Sequence, residues 1–219
     1  MRRETLDDNL AQIQRLLDEM GPEVAVAFRR ASTALLEGRG RLAEQVVSHD
    51  PVIDDLRSRI ELLAVETINI HAPVVGPLRS CVTAIQAAHH LERMGDLARH
   101  IAETAARHAP EPAVPEQARP LFQEYGGLVS AMGDKAVTVL TSRNVVLATE
   151  LGTDDARVND LHRDVFTLMF GDTWTEGVPA AVDTALLARF HERYADQAKS
   201  LAQRVIYAVT GQEPSTLSI

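Results

Sequence analysis

Leu42-Ala43-Glu44, followed by Asp50-Pro51-Val52-Ile53-Asp54-Asp55-Leu56, returns as Leu147-Ala148-Thr149, followed by Asp155-Ala156-Arg157-Val158-Asn159-Asp160-Leu161, an offset of 105. Glu92-Arg93-Met94-Gly95-Asp96 returns as Glu192-Arg193-Tyr194-Ala195-Asp196, an offset of 100. The order is kept and the spacing shrinks by five residues, as when one loop is shortened in the second of two copies. A repeated unit of about 105 residues is long enough to hold its own core. The chain therefore reads as two copies, 1–109 and 110–219.

The pattern between the repeated stretches is helical. Leu6, Leu10, Ile13, Leu17, Met20, Val24, Ala27, Ala31 and Leu35 recur at threes and fours, which predicts a helix over 4–37 with a kink at Gly21-Pro22. Gly38-Arg39-Gly40 marks a turn, followed by a short helical piece to about Val47. Asp50 then reads as an N-cap with Pro51 at the first helical position, and Ile53, Leu56, Ile60, Leu63 and Thr67 trace one face of a helix ending before Pro73. A long helix is predicted from about Leu78 to His108, and the proline-rich Ala109-Pro110-Glu111-Pro112-Ala113-Val114-Pro115 reads as the linker between copies. The second copy repeats the plan near 117–142, 155–170 and 179–210, with a different internal loop at Gly171–Gly177 and a polar tail from Gln212 that reads as frayed. No period-2 pattern competes, so the fold class is all-α: two tandem three-helix bundles whose remaining apolar stripes pack together.

Composition agrees with that class and excludes others. Aromatic residues are only 4% and hydrophobic residues 45%, with Ala and Leu abundant, which favours helix over sheet in a soluble globular chain. A net charge of −9, with Lys and Arg outnumbered 13 to 16 in the first copy and 9 to 15 in the second, leaves no concentrated basic face for nucleic acid. The single Cys81, within an apolar run, reads as a small core residue. No stretch is long and apolar enough for a membrane span, and Met1-Arg2-Arg3-Glu4 leads into an amphipathic pattern rather than a signal peptide, so the expected location is cytoplasmic.

Any chemistry lies in the repeated acids. Asp50 and Asp54, like Glu92 and Asp96, are four residues apart, which sets the two Cβ atoms of each pair about 6 Å apart on one side of a helix. Ala88 and Gly95 lie between the second pair and the core stripe Leu91, Met94, Ala98 and Ile101, allowing a neighbouring helix or an ion to approach the backbone. Two helices offering two carboxylates each suit a cation that prefers oxygen ligands. Against this, such pairs are common on solvated helix faces, and Arg57, Arg93 and Arg99 are near enough to neutralise them. Recurrence in both copies, and a glycine inside a helix, favour a built feature. His89-x-x-Glu92 reverses the order of a di-iron Glu-x-x-His motif and faces only Arg189 in the second copy; His71, His100, His108, His162 and His191 read as surface or rim residues. No phosphate loop, zinc-spaced cysteine set or nucleophile elbow occurs.

His90-Leu91-Glu92-Arg93-Met94-Gly95-Asp96-Leu97-Ala98, with Ile101-Ala102-Glu103, resembles the signature of the PhoU family of phosphate-uptake regulators. His71-Ala72-Pro73-Val74-Val75-Gly76-Pro77-Leu78-Arg79 resembles that family's connection before the helix, and Tyr207-Ala208-Val209-Thr210-Gly211 its C-terminal ending. The resemblance implies a six-helix, non-enzymatic, cytoplasmic and often dimeric adaptor that restrains phosphate-starvation signalling. Its implied partners are a phosphate ABC transporter's ATPase subunit and a phosphate-sensing histidine kinase, with no nucleic acid and with membranes reached only through those partners. It also implies one metal cluster per copy, carried here by Asp50, Asp54, Glu92 and Asp96 and by Asp155, Asn159, Glu192 and Asp196. The second set departs from the pattern, because Asn159 replaces an acid and Ala195 a glycine; an amide offers an oxygen without the charge that offsets stripping water from a cation. The metal is left open among iron, zinc, manganese and magnesium. The rival class is a helical-bundle metal-storage or di-metal oxidase protein, which needs paired Glu-x-x-His motifs that the sequence lacks.

Overall fold

A computed structural model describes residues 5–212; Met1-Arg2-Arg3-Glu4 and the tail beyond Gln212 lie outside it. Six helices account for most of the described residues, and no strand occurs among them. They are α1 (Leu6–Glu37), α2 (Gly40–His71), α3 (Gly76–His108), α4 (Arg119–Ser142), α5 (Val145–Phe170) and α6 (Gly177–Thr210), with one 3-10 turn at Glu116–Ala118. Thr5 and Asp8 form a capping box at the start of α1, satisfying two backbone donors that the first turn leaves free.

The helix starts differ from the sequence reading in two places. Asp50 is not an N-cap: α2 runs unbroken from Gly40 with Pro51 inside it. An internal proline costs about 3 kcal/mol through a missing hydrogen bond and a crowded turn. The stripe Ala43, Val46, Ile53, Leu56, Ile60 and Ala64 is buried along the whole helix, and each large member contributes about 1.5–3 kcal/mol, so burial outweighs the break. Likewise α5 begins ten residues earlier than expected, where Asn144 accepts a bond from the Leu147 amide at 3.1 Å and caps it. In α1, Pro22 is accommodated within a continuous helix.

Helices α1, α3, α6 and α4 form a closed central ring of neighbours, with α2 laid against α1 and α3 and α5 against α4 and α6. One continuous core, from Ile13 to Ile206, fills the space between them. The two copies are related by a pseudo-twofold axis between α1 and α4. A Cβ on Gly21 would lie 3.0 Å from Val137, and one on Gly126 would meet Ser32 Oγ. Gly126 is Gly21 plus 105 and Val137 is Ser32 plus 105, so the same contact is made twice with the helices antiparallel. Arg29 and Asp134, also 105 apart, pair across this axis. In a symmetric dimer those positions would carry identical residues; duplication within one chain lets them take opposite charges.

Candidate carboxylate centres

The first acidic set lies where α2 and α3 approach most closely. A Cβ on Gly95 would fall 3.1 Å and 3.2 Å from two side-chain carbons of Ile53 and 3.8 Å from Asp50 Oδ1, so Gly95 supplies the close approach its position in the sequence suggested. Arg99 gathers the carboxylates there. Its Nε forms an ion pair with Asp50 Oδ2 at 2.8 Å, while its two terminal nitrogens donate to Asp96 at 3.0 Å and Glu103 at 2.6 Å. Arg93 stands 3.5 Å from Asp96 and 3.8 Å from Glu92, and Arg57 turns to Glu61 at 2.8 Å.

The side chains of Asp50 and Glu92 are only 15% and 18% exposed, so each carboxylate has lost much of its water. Desolvation pushes the Asp50 carboxyl above the ordinary range; Arg99 pulls it back, and the charges of Asp54 and Asp96 push it up further. Desolvation likewise raises Glu92, joined by the charges of Asp96 and Asp54 and opposed by Arg93 and Arg57. Asp50 and Glu92 therefore each feel the charges of Asp54 and Asp96, although Asp54 itself is on the exposed side.

The second set has the same plan with a different cation. Lys199, which is Arg99 plus 100, donates to Asp155 Oδ2 at 2.6 Å, and Arg189 pairs with Glu192. Partial burial, then Glu192 and Asp155, raise the carboxyl of Asp196, with Lys199 and Arg189 opposing. Asn159, in the place of Asp54, is exposed.

Oxygen-only donors on two adjacent helices, repelling one another, have the chemistry a hard divalent cation relieves. In this arrangement they pair with basic side chains, Asp50 and Asp96 with Arg99, Glu92 with Arg93, Asp155 with Lys199 and Glu192 with Arg189, and among the described residues no three acid, histidine or cysteine side chains converge closely enough to hold one metal ion. The donor set fits such an ion in kind; holding it requires carboxylates to rotate off the basic side chains. Arg99 was already near enough in the sequence to pair with the acids; Lys199, which recurs at the same offset as the acids, was the part of the site that sequence spacing missed.

His191 corrects the sequence reading outright. It is fully buried, not at a rim, with Nδ1 donating to Leu187 O at 2.8 Å and its ring edge-on to Phe28 and Phe122 and 5.1 Å from Tyr125. Burial pushes its pKa down to about 4, so it is a neutral core residue. His89 is exposed. Cys81 is buried as expected, and burial raises its thiol pKa.

A duplicated six-helix bundle with an acidic pair on each of two helices defines an architecture, and comparison with known proteins places it. The family model described as "PhoU domain" matches residues 17–105 and again 122–205. The chain is 39% identical over 212 residues to phosphate-specific transport system accessory protein PhoU homolog 2 of Mycobacterium tuberculosis, covering 97% of this chain and 100% of that one. It is 38% identical to PhoU homolog 1 of Mycobacterium leprae, covering 97% and 96%. The crystal structure of PhoU from Pseudomonas aeruginosa superposes with a TM-score of 0.87 at 24% identity, over 95% of this chain and all of that one, and shares the fold. The Streptococcus pneumoniae phosphate transport system regulatory protein PhoU gives 0.82 at 21%, over 95% and 99%. The chain belongs to the PhoU family. Among the described residues no helix is long and apolar enough to cross a membrane.

Proposed function

We propose that this protein is a non-enzymatic accessory regulator of a phosphate transport system, working in the cytoplasm by contact with the transporter's ATPase subunit and a phosphate-sensing histidine kinase. The observation that carries the reading is likeness along the whole chain to proteins named as accessory components of phosphate-specific transport, at 39% identity over 97% of its length. The same reading makes 1–109 and 110–219 the two repeats and a homodimer the working form. In it, Asp50, Asp54, Glu92 and Asp96 hold one metal ion or cluster and Asp155, Asn159, Glu192 and Asp196 a second, weaker one. Bound there, a cation supplies a charge cross-link between neighbouring helices in place of Arg99 or Lys199. With a net charge of −9, the protein meets basic partner surfaces, so binding weakens as salt screens the exposed charges.

The test is a binding titration against the ATPase subunit and the kinase's cytoplasmic domain at low and high salt, beside expression of phosphate-starvation genes in a deletion strain. Binding that falls with salt, with those genes left on in abundant phosphate, is the expected result. No binding to either partner and unchanged expression would refute the regulator reading.

A further inference from the structure

The pseudo-twofold axis relates the two ends of the central four-helix ring, yet their side chains differ in size. At one end Phe122, Thr184 and Leu187 are fully buried. Their counterparts at the other end are Leu17, at minus 105, and Ala84 and Ala87, at minus 100. All three are smaller, and all three line a cavity of about 210 Å³ between α1, α3, α4 and α6. Small-for-large differences between the two copies thus open a space at one end that large side chains occupy at the other.

The inner wall is apolar. Ile13, Leu17, Ala84, Leu140 and Val205 line it, none more than 4% exposed. A hydrocarbon guest there gains contacts that an empty space denies its lining. An apolar cavity of about 150 Å³ takes a benzene-sized guest, so this one has room for about eight carbons.

The rim is basic. Arg143 is the one ionisable side chain in the lining, and it is exposed where α4 ends. Among the described residues it meets no carboxylate; a terminal nitrogen donates to Gln14 Oε1 at 3.3 Å, and Gln14 in turn donates to Asp18, outside the lining, at 2.9 Å. In a chain of net charge −9, a guanidinium without an acid favours an anion beside it, and its planar fork matches a carboxylate. Thr83, also in the lining, is 7% exposed and adds a hydroxyl without a partner. Inorganic phosphate would suit the rim alone, because a strongly hydrated anion cannot shed its water against the apolar wall.

We propose that this cavity binds a small amphipathic carboxylate, a straight chain of about eight carbons. Its tail lies against Leu17, Ala84 and Ala87, and its head pairs with Arg143. The occupant follows from three features: the volume, the apolar wall and the single unpaired cation at the rim. The wall draws on α1 and α3 from the first copy and on α4 and α6 from the second, so occupancy bears on how the copies pack. The proposal is independent of the regulator reading.

The test is calorimetric titration of the full-length protein with octanoate, octanol, acetate and inorganic phosphate, octanoate being kept below its micelle concentration. One octanoate per chain is expected. Octanol should bind about tenfold more weakly, as for the loss of one charge-assisted pair. Acetate and phosphate should show no saturable binding. Arg143→Gln should bring octanoate to the level of octanol. Ala87→Leu, which copies Leu187, should abolish octanoate binding without lowering the melting temperature. No octanoate binding by the parent, octanol binding as tightly as octanoate, or parental binding by a folded Ala87→Leu chain would each overturn the proposal. Saturable acetate or phosphate binding that Arg143→Gln removes would also overturn it, leaving a plain anion site at the rim. Should Ala87→Leu melt lower than the parent, the parent itself decides: octanoate should slow amide exchange about tenfold in residues 10–17 and 80–87. Unchanged exchange there would overturn the proposal.

Discussion

Replacing His191 with leucine tests the core assignment most sharply, because Leu91 occupies the corresponding position in the first copy and is fully buried there. An unfolded histidine titrates near 6.5, whereas His191 is held down to about 4 by burial, weakly opposed by its bond to Leu187. Groups around it supply no compensating charge: Phe28, Phe122 and Tyr125 flank the ring, Ser32 lies across Gly126, and burial raises the pKa of Tyr125 and Tyr194 so that both stay neutral. Between the two pH values the unfolded chain takes up a proton that the folded chain refuses. The contribution is therefore whole above pH 6.5 and is lost as pH falls toward 4. At about 1.4 kcal/mol per pH unit the loss from this one group is about 3 kcal/mol. His191→Leu leaves the Leu187 carbonyl its helical partner and removes the unpartnered Nε2. Urea melts from pH 7 down to about 4 should show the variant gaining about 3 kcal/mol on the parent across that range. Parallel pH profiles for the two proteins would refute the buried, neutral assignment.

Gly95→Ala alone should be neutral or destabilising despite alanine's better helix propensity, since its Cβ meets Ile53 at 3.1 Å. Ile53→Val alone should cost about 1 kcal/mol, and the double variant, which recreates the Ala195 and Val158 of the second copy, should be more stable than the two single effects sum to; additive melts would show that the contact is slack. Arg99→Gln should destabilise the metal-free protein by about 2 kcal/mol by leaving Asp50 and Asp96 without their cation, and should raise the thermal shift produced by added divalent metal. A variant with no larger metal shift than the parent would separate Arg99 from metal competition. Asp54→Asn should lower metal content more than Asn159→Asp raises it, read by metal analysis of purified protein; small and equal changes would mark both acidic sets as solvated faces.

The duplication, the six helices, the linker and the acidic pairs were legible in the sequence because each rests on local rules: apolar spacing, proline and glycine punctuation, and residues that recur at fixed offsets. Gly95 was legible for a related reason, as a poor helix former set between two acids inside a helix. Tertiary structure decided what local rules cannot. Pro51 looked like a helix start, but packing of Ala43 through Ala64 against α1 and α3 holds one helix through it. His191 was read as a rim residue from its polarity, although its counterpart Leu91 lies in the core stripe 100 residues earlier, and α6 turns it inward toward Phe28, Phe122 and Tyr125. The carboxylates were visible as pairs, while their gathering by Arg99 and Lys199 depends on how α2 meets α3 and α5 meets α6. The pseudo-twofold axis belongs to both levels: its offset of 105 lies in the sequence, but only packing makes Gly21 meet Val137 and Arg29 meet Asp134, since contacts between distant segments follow from filling one common core.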